Sequence, residues 1–150
     1  MEPEIVRKDA FSIVGMHYRG NNAEGEIPQM WGELGPRMSE IKNIAEHSVA
    51  YGVSDNMDQA TGEFDYIAGF AVSDVEEVPE GMVHWQIPGG RYAVFRTTLP
   101  KLGDTFKYAY HEWLPKSDDK HRPGPDLELY DAAFDAADPN SEFEVYVPIQ

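Results

Sequence analysis

In the run Leu127-Glu128-Leu129-Tyr130 a single carboxylate interrupts an otherwise apolar strand. Strand side chains alternate between faces, so Leu127 and Leu129 share one face while Glu128 and Tyr130 share the other. With the leucines on the outside of a sheet, Glu128 points into the layer under the helices. A carboxylate there is desolvated, and its pKa rises unless a donor or a cation compensates it. The same spacing fits a glutamate that faces water beside Tyr130, and alternation alone leaves both readings open. An inward Glu128 has two uses: an anion that attracts a cation, or an acid/base that moves a proton.

Aromatic side chains are the second signal. Trp31, Tyr51, Tyr66, Trp85, Tyr92, Phe95, Tyr110 and Trp113 are spread over strands and helices. Aromatic faces hold flat or cationic molecules by stacking and cation–π attraction, about 0.5–2 kcal/mol per contact. Most such residues serve as core, and only those sharing a groove with Glu128 touch a ligand. The five histidines (His17, His47, His84, His111, His121) form no HxH or HExxH spacing, and there is no cysteine. No metal site and no cofactor is therefore expected. No GxSxG elbow surrounds a serine and no glycine-rich phosphate loop occurs, so no catalytic residue is assigned beyond a conditional role for Glu128.

Charge narrows the partners. In 150 residues there are 12 Lys plus Arg against 27 Asp plus Glu, a formal net charge of −15. That field repels phosphate backbones and concentrates cations, besides keeping the chain soluble. The expected partner is a small organic molecule, cationic and aromatic, and direct nucleic-acid contact is not expected. Hydrophobic residues at 41% and aromatics at 12% are ample for a folded core. No apolar stretch approaches the ~20 residues of a membrane span and no leader pattern opens the chain, so a cytoplasmic location is expected.

The elements that must position these residues follow from periodicity. A first strand is expected over 4–18, with a bulge at Asp9-Ala10. A helix opens at Ile27-Pro28 and carries the stripe Ile27, Met30, Trp31, Leu34, Met38 and Ile41, with a kink or break at Gly35-Pro36. Strands follow over 50–53 and 64–73, then over 81–87 and 91–98. A second helix runs from Pro100 to Pro115 with Leu102, Phe106, Ala109, Tyr110 and Trp113 on one stripe. Strands over 127–134 and 143–149 close the chain. Tyr51-Gly52-Val53 before Phe64-Asp65-Tyr66 parallels Leu127-Glu128-Leu129 before Phe143-Glu144-Val145. We read one α+β domain over 1–150, built of two β-α-β-β units over about 1–75 and 81–150. They predict a mostly antiparallel twisted sheet with two helices on one face and a central ligand groove.

Three runs in order carry a resemblance: Gly90-Arg91-Tyr92-Ala93-Val94-Phe95, His111-Glu112-Trp113-Leu114-Pro115, and Pro125-Asp126-Leu127-Glu128-Leu129-Tyr130. With Trp31, Tyr51-Gly52-Val53 and Phe64-Asp65-Tyr66-Ile67-Ala68-Gly69 in the first half, the chain resembles the GyrI-like effector-binding family over about 2–149. That family includes gyrase-inhibitor proteins and the ligand domains of multidrug-responsive transcription activators. The resemblance implies the duplicated fold and a central aromatic groove with Glu128 at its floor, meeting lipophilic cations. It implies Tyr51 as a pocket aromatic, Trp31 from the first helix, and Tyr110 and Trp113 from the second; Tyr66 completes the expected ligand-binding set.

No helix-turn-helix precedes the first strand, so a stand-alone binding module is expected. Some stand-alone relatives hydrolyse strained electrophiles. By that resemblance Glu128 becomes the acid/base with Tyr51 or Tyr110 as donor. A gyrase-inhibitor-like role, with an acidic surface meeting a protein partner, is the remaining alternative. The oligomeric state is not legible.

Overall fold

Alternating and β-branched runs carry the chain into eight strands: β1 (Glu4–Lys8), β2 (Phe11–Gly20), β3 (Ala50–Asp55), β4 (Phe64–Val72), β5 (Met82–Ile87), β6 (Gly90–Thr98), β7 (Asp126–Tyr130) and β8 (Glu142–Ile149). The computed structural model describes residues 2–150 and joins these strands in one open antiparallel sheet. Their order is β1-β6-β8-β7-β3-β4-β2-β5. Read from either edge the pattern is the same: the other unit's leading strand, then a unit's first, last and middle strands, with β7 and β3 meeting at the centre. This is the duplicated α+β fold that the repeat implied.

The strand expected over 4–18 is instead two strands. β1 precedes β2 in the chain but pairs with β6, while β5 precedes β6 but pairs with β2. The hinge falls at Asp9-Ala10, where the bulge was expected. The register runs straight through it, since Lys8 pairs with Gly90 on one side and Phe11 with Ile87 on the other. Two long strands thus cross, each bending where it passes from one half of the sheet to the other. A Cβ on Gly89 would lie 2.7 Å from the Ala10 amide nitrogen and 3.1 Å from the Lys8 carbonyl oxygen. The crossing is this close because Gly89 has no side chain.

Helix α1 (Glu26–Arg37) runs through Gly35-Pro36 without a break and tightens into a 3₁₀ turn over Met38–Glu40. Pro36 costs the bond to the Gly32 carbonyl, but both residues are exposed, so water satisfies that group. The inner stripe of α1 buries Met30 and Leu34 against Val14, Tyr66 and Phe70. Burying a side chain such as Leu34, 1% exposed, contributes about 2 kcal/mol. The second helical segment starts with a 3₁₀ turn over Leu99–Lys101, continues as α2 (Leu102–Tyr108), widens into a π-turn over Ala109–Trp113 and ends in α3 (Leu114–Lys116). It packs Ala109 and Trp113 against Phe95, Phe143 and Val145.

Both helical segments lie on one face of the sheet. The opposite face closes on its own core of Ile13, Tyr51, Val53, Ile67, Ile87, Tyr92 and Leu127. On the helix face, β3 and β7 run at the sheet centre and their residues floor an open cleft between the helices. No helix among the described residues is long and apolar enough to cross a membrane.

Candidate functional site

Glu128 sits at the middle of β7, paired with Gly52 of β3 on one side and Val145 of β8 on the other. It is 6% exposed. Two phenols donate to its Oε1: the Tyr66 hydroxyl at 3.0 Å and the Tyr130 hydroxyl at 2.5 Å. The Trp31 indole N–H donates in turn to the Tyr66 oxygen at 3.1 Å, which leaves the Tyr66 proton for the carboxylate. Room for this bond comes from Gly52. A Cβ there would lie 2.2 Å from the Tyr66 hydroxyl oxygen and 2.8 Å from Glu128 Oε1. Tyr130 is held by its ring, edge-on to Trp31 at 5.5 Å and stacked on Phe143 at 4.5 Å.

Burial pushes the Glu128 carboxyl above its ordinary pKa, and the hydrogen bonds from Tyr130 and Tyr66 pull the other way. The same burial, with the Glu128 charge beside them, raises Tyr66 and Tyr130, so both remain donors. No ion pair to Glu128 forms among the described residues, so its charge is met by hydroxyl dipoles alone.

Two residues earlier on the same face, Asp126 accepts a short hydrogen bond from the Tyr110 hydroxyl. Burial lifts Asp126 to about 7; the Tyr110 bond opposes this, and the charges of Asp55 and Glu128 add to it. Burial and the Asp126 charge raise Tyr110 in turn. The cleft over these residues measures about 1420 Å³. Its wall is aromatic and aliphatic, with Trp31, Phe106 and Phe134 prominent. Four carboxylates (Asp55, Asp126, Glu128, Asp131) line it against one lysine, Lys107, so its field is negative.

Of the residues expected to form the site, Glu128, Trp31, Tyr66 and Tyr110 line this cleft. Tyr51 and Trp113 do not. Tyr51, 1% exposed, lies in the core of the opposite face, 5.2 Å from the Phe11 ring. Trp113 packs edge-on against Phe95 at 5.7 Å. The hydroxyls that reach Glu128 belong to Tyr66 and Tyr130, which corrects the expectation of Tyr51 or Tyr110 in that place. Asp126, Asp55, Phe106 and Phe134 were not among the expected site residues. For Asp126 and Tyr130 the signal was present, since both share the Glu128 face by alternation.

Two β-α-β-β units with a cleft between their helices are the architecture of GyrI-like effector-binding domains. The chain belongs to the family of integron-associated effector binding proteins, Cass2, whose profile matches residues 4–149. It is 40% identical over 152 residues to the transcriptional regulator BrlR of Pseudomonas aeruginosa, a match covering 99% of this chain and 56% of that regulator. The chain thus spans a little over half the length of that relative. Its fold is similar to that of SAV2435 bound to tetraphenylphosphonium, at a TM-score of 0.73 and 16% identity over 100% of this chain and 94% of that one. It is also similar to an integron cassette protein from the mobile metagenome of Vibrio cholerae, at a TM-score of 0.62 and 20% identity over 100% and 97%. At those identities the likeness concerns the fold.

Proposed function

We propose that the domain is a small-molecule binding module that captures lipophilic, aromatic cations in the cleft over Glu128. The observation that carries this reading is a buried carboxylate held only by phenols inside an aromatic cleft. Ionised, it has no counter-charge, and a cation supplies one. Strongly hydrated ions lose too much solvation on entering; a cation whose charge is spread beneath aromatic rings loses little. Tetraphenylphosphonium, the molecule bound to SAV2435, is of that kind, and the −15 field favours such molecules over nucleic acid.

The test is a thermal-shift and tryptophan-fluorescence titration of wild type and Glu128→Gln with tetraphenylphosphonium. Wild type is stabilised, and the variant loses about 1–3 kcal/mol of binding, the range for hydrogen bonds and contacts to a charged group. Equal affinity in the two proteins removes Glu128 from the site.

A second reading has one observation in its favour. A carboxyl with raised pKa and two phenol donors on one oxygen is also an acid/base unit, able to protonate a strained electrophile. Incubation with a strained electrophile such as an aryl epoxide separates the two: an epoxide recovered intact supports capture, and ring opening that Glu128→Gln lacks supports hydrolysis.

A further inference from the structure

The cation reading uses Glu128 and leaves Asp126 without a task. Asp126 precedes it by two residues on the same face of β7, and both line the cleft. Same-face positions along a strand repeat at about 6.6 Å, so the floor carries two carboxylates at roughly that spacing. Each has its own surroundings. Around Glu128 stand Trp31, Tyr66 and Tyr130. Around Asp126 stand Tyr110, which donates to it, and His121, whose ring lies edge-on to Tyr110 at 5.3 Å with Nε2 3.4 Å from the hydroxyl. Asp55, at the end of β3, adds a third negative charge at that end of the cleft. No lysine or arginine pairs with Asp126 among the described residues.

We propose that Asp126 is a specificity-determining residue, a second anionic anchor that makes the cleft prefer rod-shaped aromatic dications to monocations of the same size. The proposal rests on the cation reading of Glu128. Two like charges a few ångströms apart in a partly desolvated cleft repel each other, and a single cation over Glu128 relieves only one of them. A ligand with a positive centre at each end of a biaryl neutralises both. The aromatic lining of the cleft then receives the apolar body of the ligand.

The test uses the full chain and two probes of one shape, N,N′-dimethyl-4,4′-bipyridinium (two charges) and N-methyl-4-(4-methylphenyl)pyridinium (one). Calorimetric titrations near pH 8 keep Asp126 largely ionised, above its midpoint of about 7. Wild type binds the dication about tenfold or more tightly, and Asp126→Asn loses about tenfold on the dication and less than about twofold on the monocation. Binding of the monocation by that variant is also the check that its cleft is folded. A wild-type ratio of the two affinities in Asp126→Asn overturns the proposal, and so does an equal loss of both probes, which makes Asp126 merely structural. Glu128→Gln distinguishes failure of the underlying reading: it weakens both probes if that reading holds and neither if it does not.

Discussion

Gly52 in the first unit and Glu128 in the second face each other across the β3–β7 ladder, and Ala68 and Val145 are their neighbours on β4 and β8. Two residues back along those outer strands, Tyr66 and Phe143 hold equivalent places. Tyr66 donates to the carboxylate, whereas Phe143 only stacks beneath Tyr130. The first unit gives the space and the Tyr66 donor with Trp31 behind it, and the second gives both acids of the floor with their own donors, Tyr130 and Tyr110. Directly opposed residues in an antiparallel pair stand about 5 Å apart, so two glutamates at this centre would repel each other as they compete for one set of donors. This opposed pair at the meeting point of two similar units therefore holds one acid, and its partner position is a glycine.

The strongest way to break this division is to fill the empty half. Gly52→Ala should cost about 3 kcal/mol of stability, the upper end for overpacking, and weaken cation binding with it. Denaturant unfolding and a tetraphenylphosphonium titration check this, and unchanged values for both would show that Gly52 does not make the room. Next in size, Tyr66→Phe removes a donor to Glu128 and strands the Trp31 indole, a loss of about 2 kcal/mol. In wild type the Tyr66 bond favours ionised Glu128, so the loss on removing it should grow as pH rises and Glu128 ionises. A pH-independent loss would mean that only packing is affected.

Asp126→Asn removes the second unit's other acid, and its effect depends on pH. Asp126 titrates near 7 when folded and near 3.9 unfolded, so the folded state holds its proton more tightly. Wild-type stability from this group is full below about pH 4 and is lost as pH rises through 7. The groups that act on its charge are Tyr110, Asp55 and Glu128, with His121 behind Tyr110. Relative to the variant, wild type should lose roughly 1–2 kcal/mol between pH 5 and 8, after allowance for partial exposure. Parallel stability curves for the two proteins would contradict this. The smallest effect belongs to Tyr51→Phe, which lies on the far face and should change cation affinity less than about twofold. A larger change would mean that the two faces of the sheet are coupled.

These residues also show what was legible. Glu128 stood out because a lone charge inside an apolar strand is costly unless it is used. Tyr130 and Asp126 follow from the same two-residue period. Tyr66 reaches Glu128 across 62 positions, and no local pattern tells which strands become neighbours. Tyr51 fails for that reason: alternation puts it opposite Gly52, and only the β3–β7 register reveals that the Gly52 face is the cleft. Tyr110 and Trp113 fall near one stripe at 3.6 residues per turn. The π-turn is wider and separates them, with Tyr110 in the cleft and Trp113 on Phe95. The single strand expected over 4–18 was legible as an extended path, but its crossing at Asp9-Ala10 depends on Gly89, far along the chain.

On the cation reading, a negative charge at Glu128, rather than the shape of the cleft, selects the ligand. Tetraphenylphosphonium and tetraphenylborate have nearly the same shape and opposite charge, so titrating both into wild type and Glu128→Gln isolates the effect of charge. Wild type should bind the cation and reject the anion, and the variant should narrow that gap by about tenfold or more. Equal binding of the two ions by wild type, or a gap undiminished in Glu128→Gln, would contradict it.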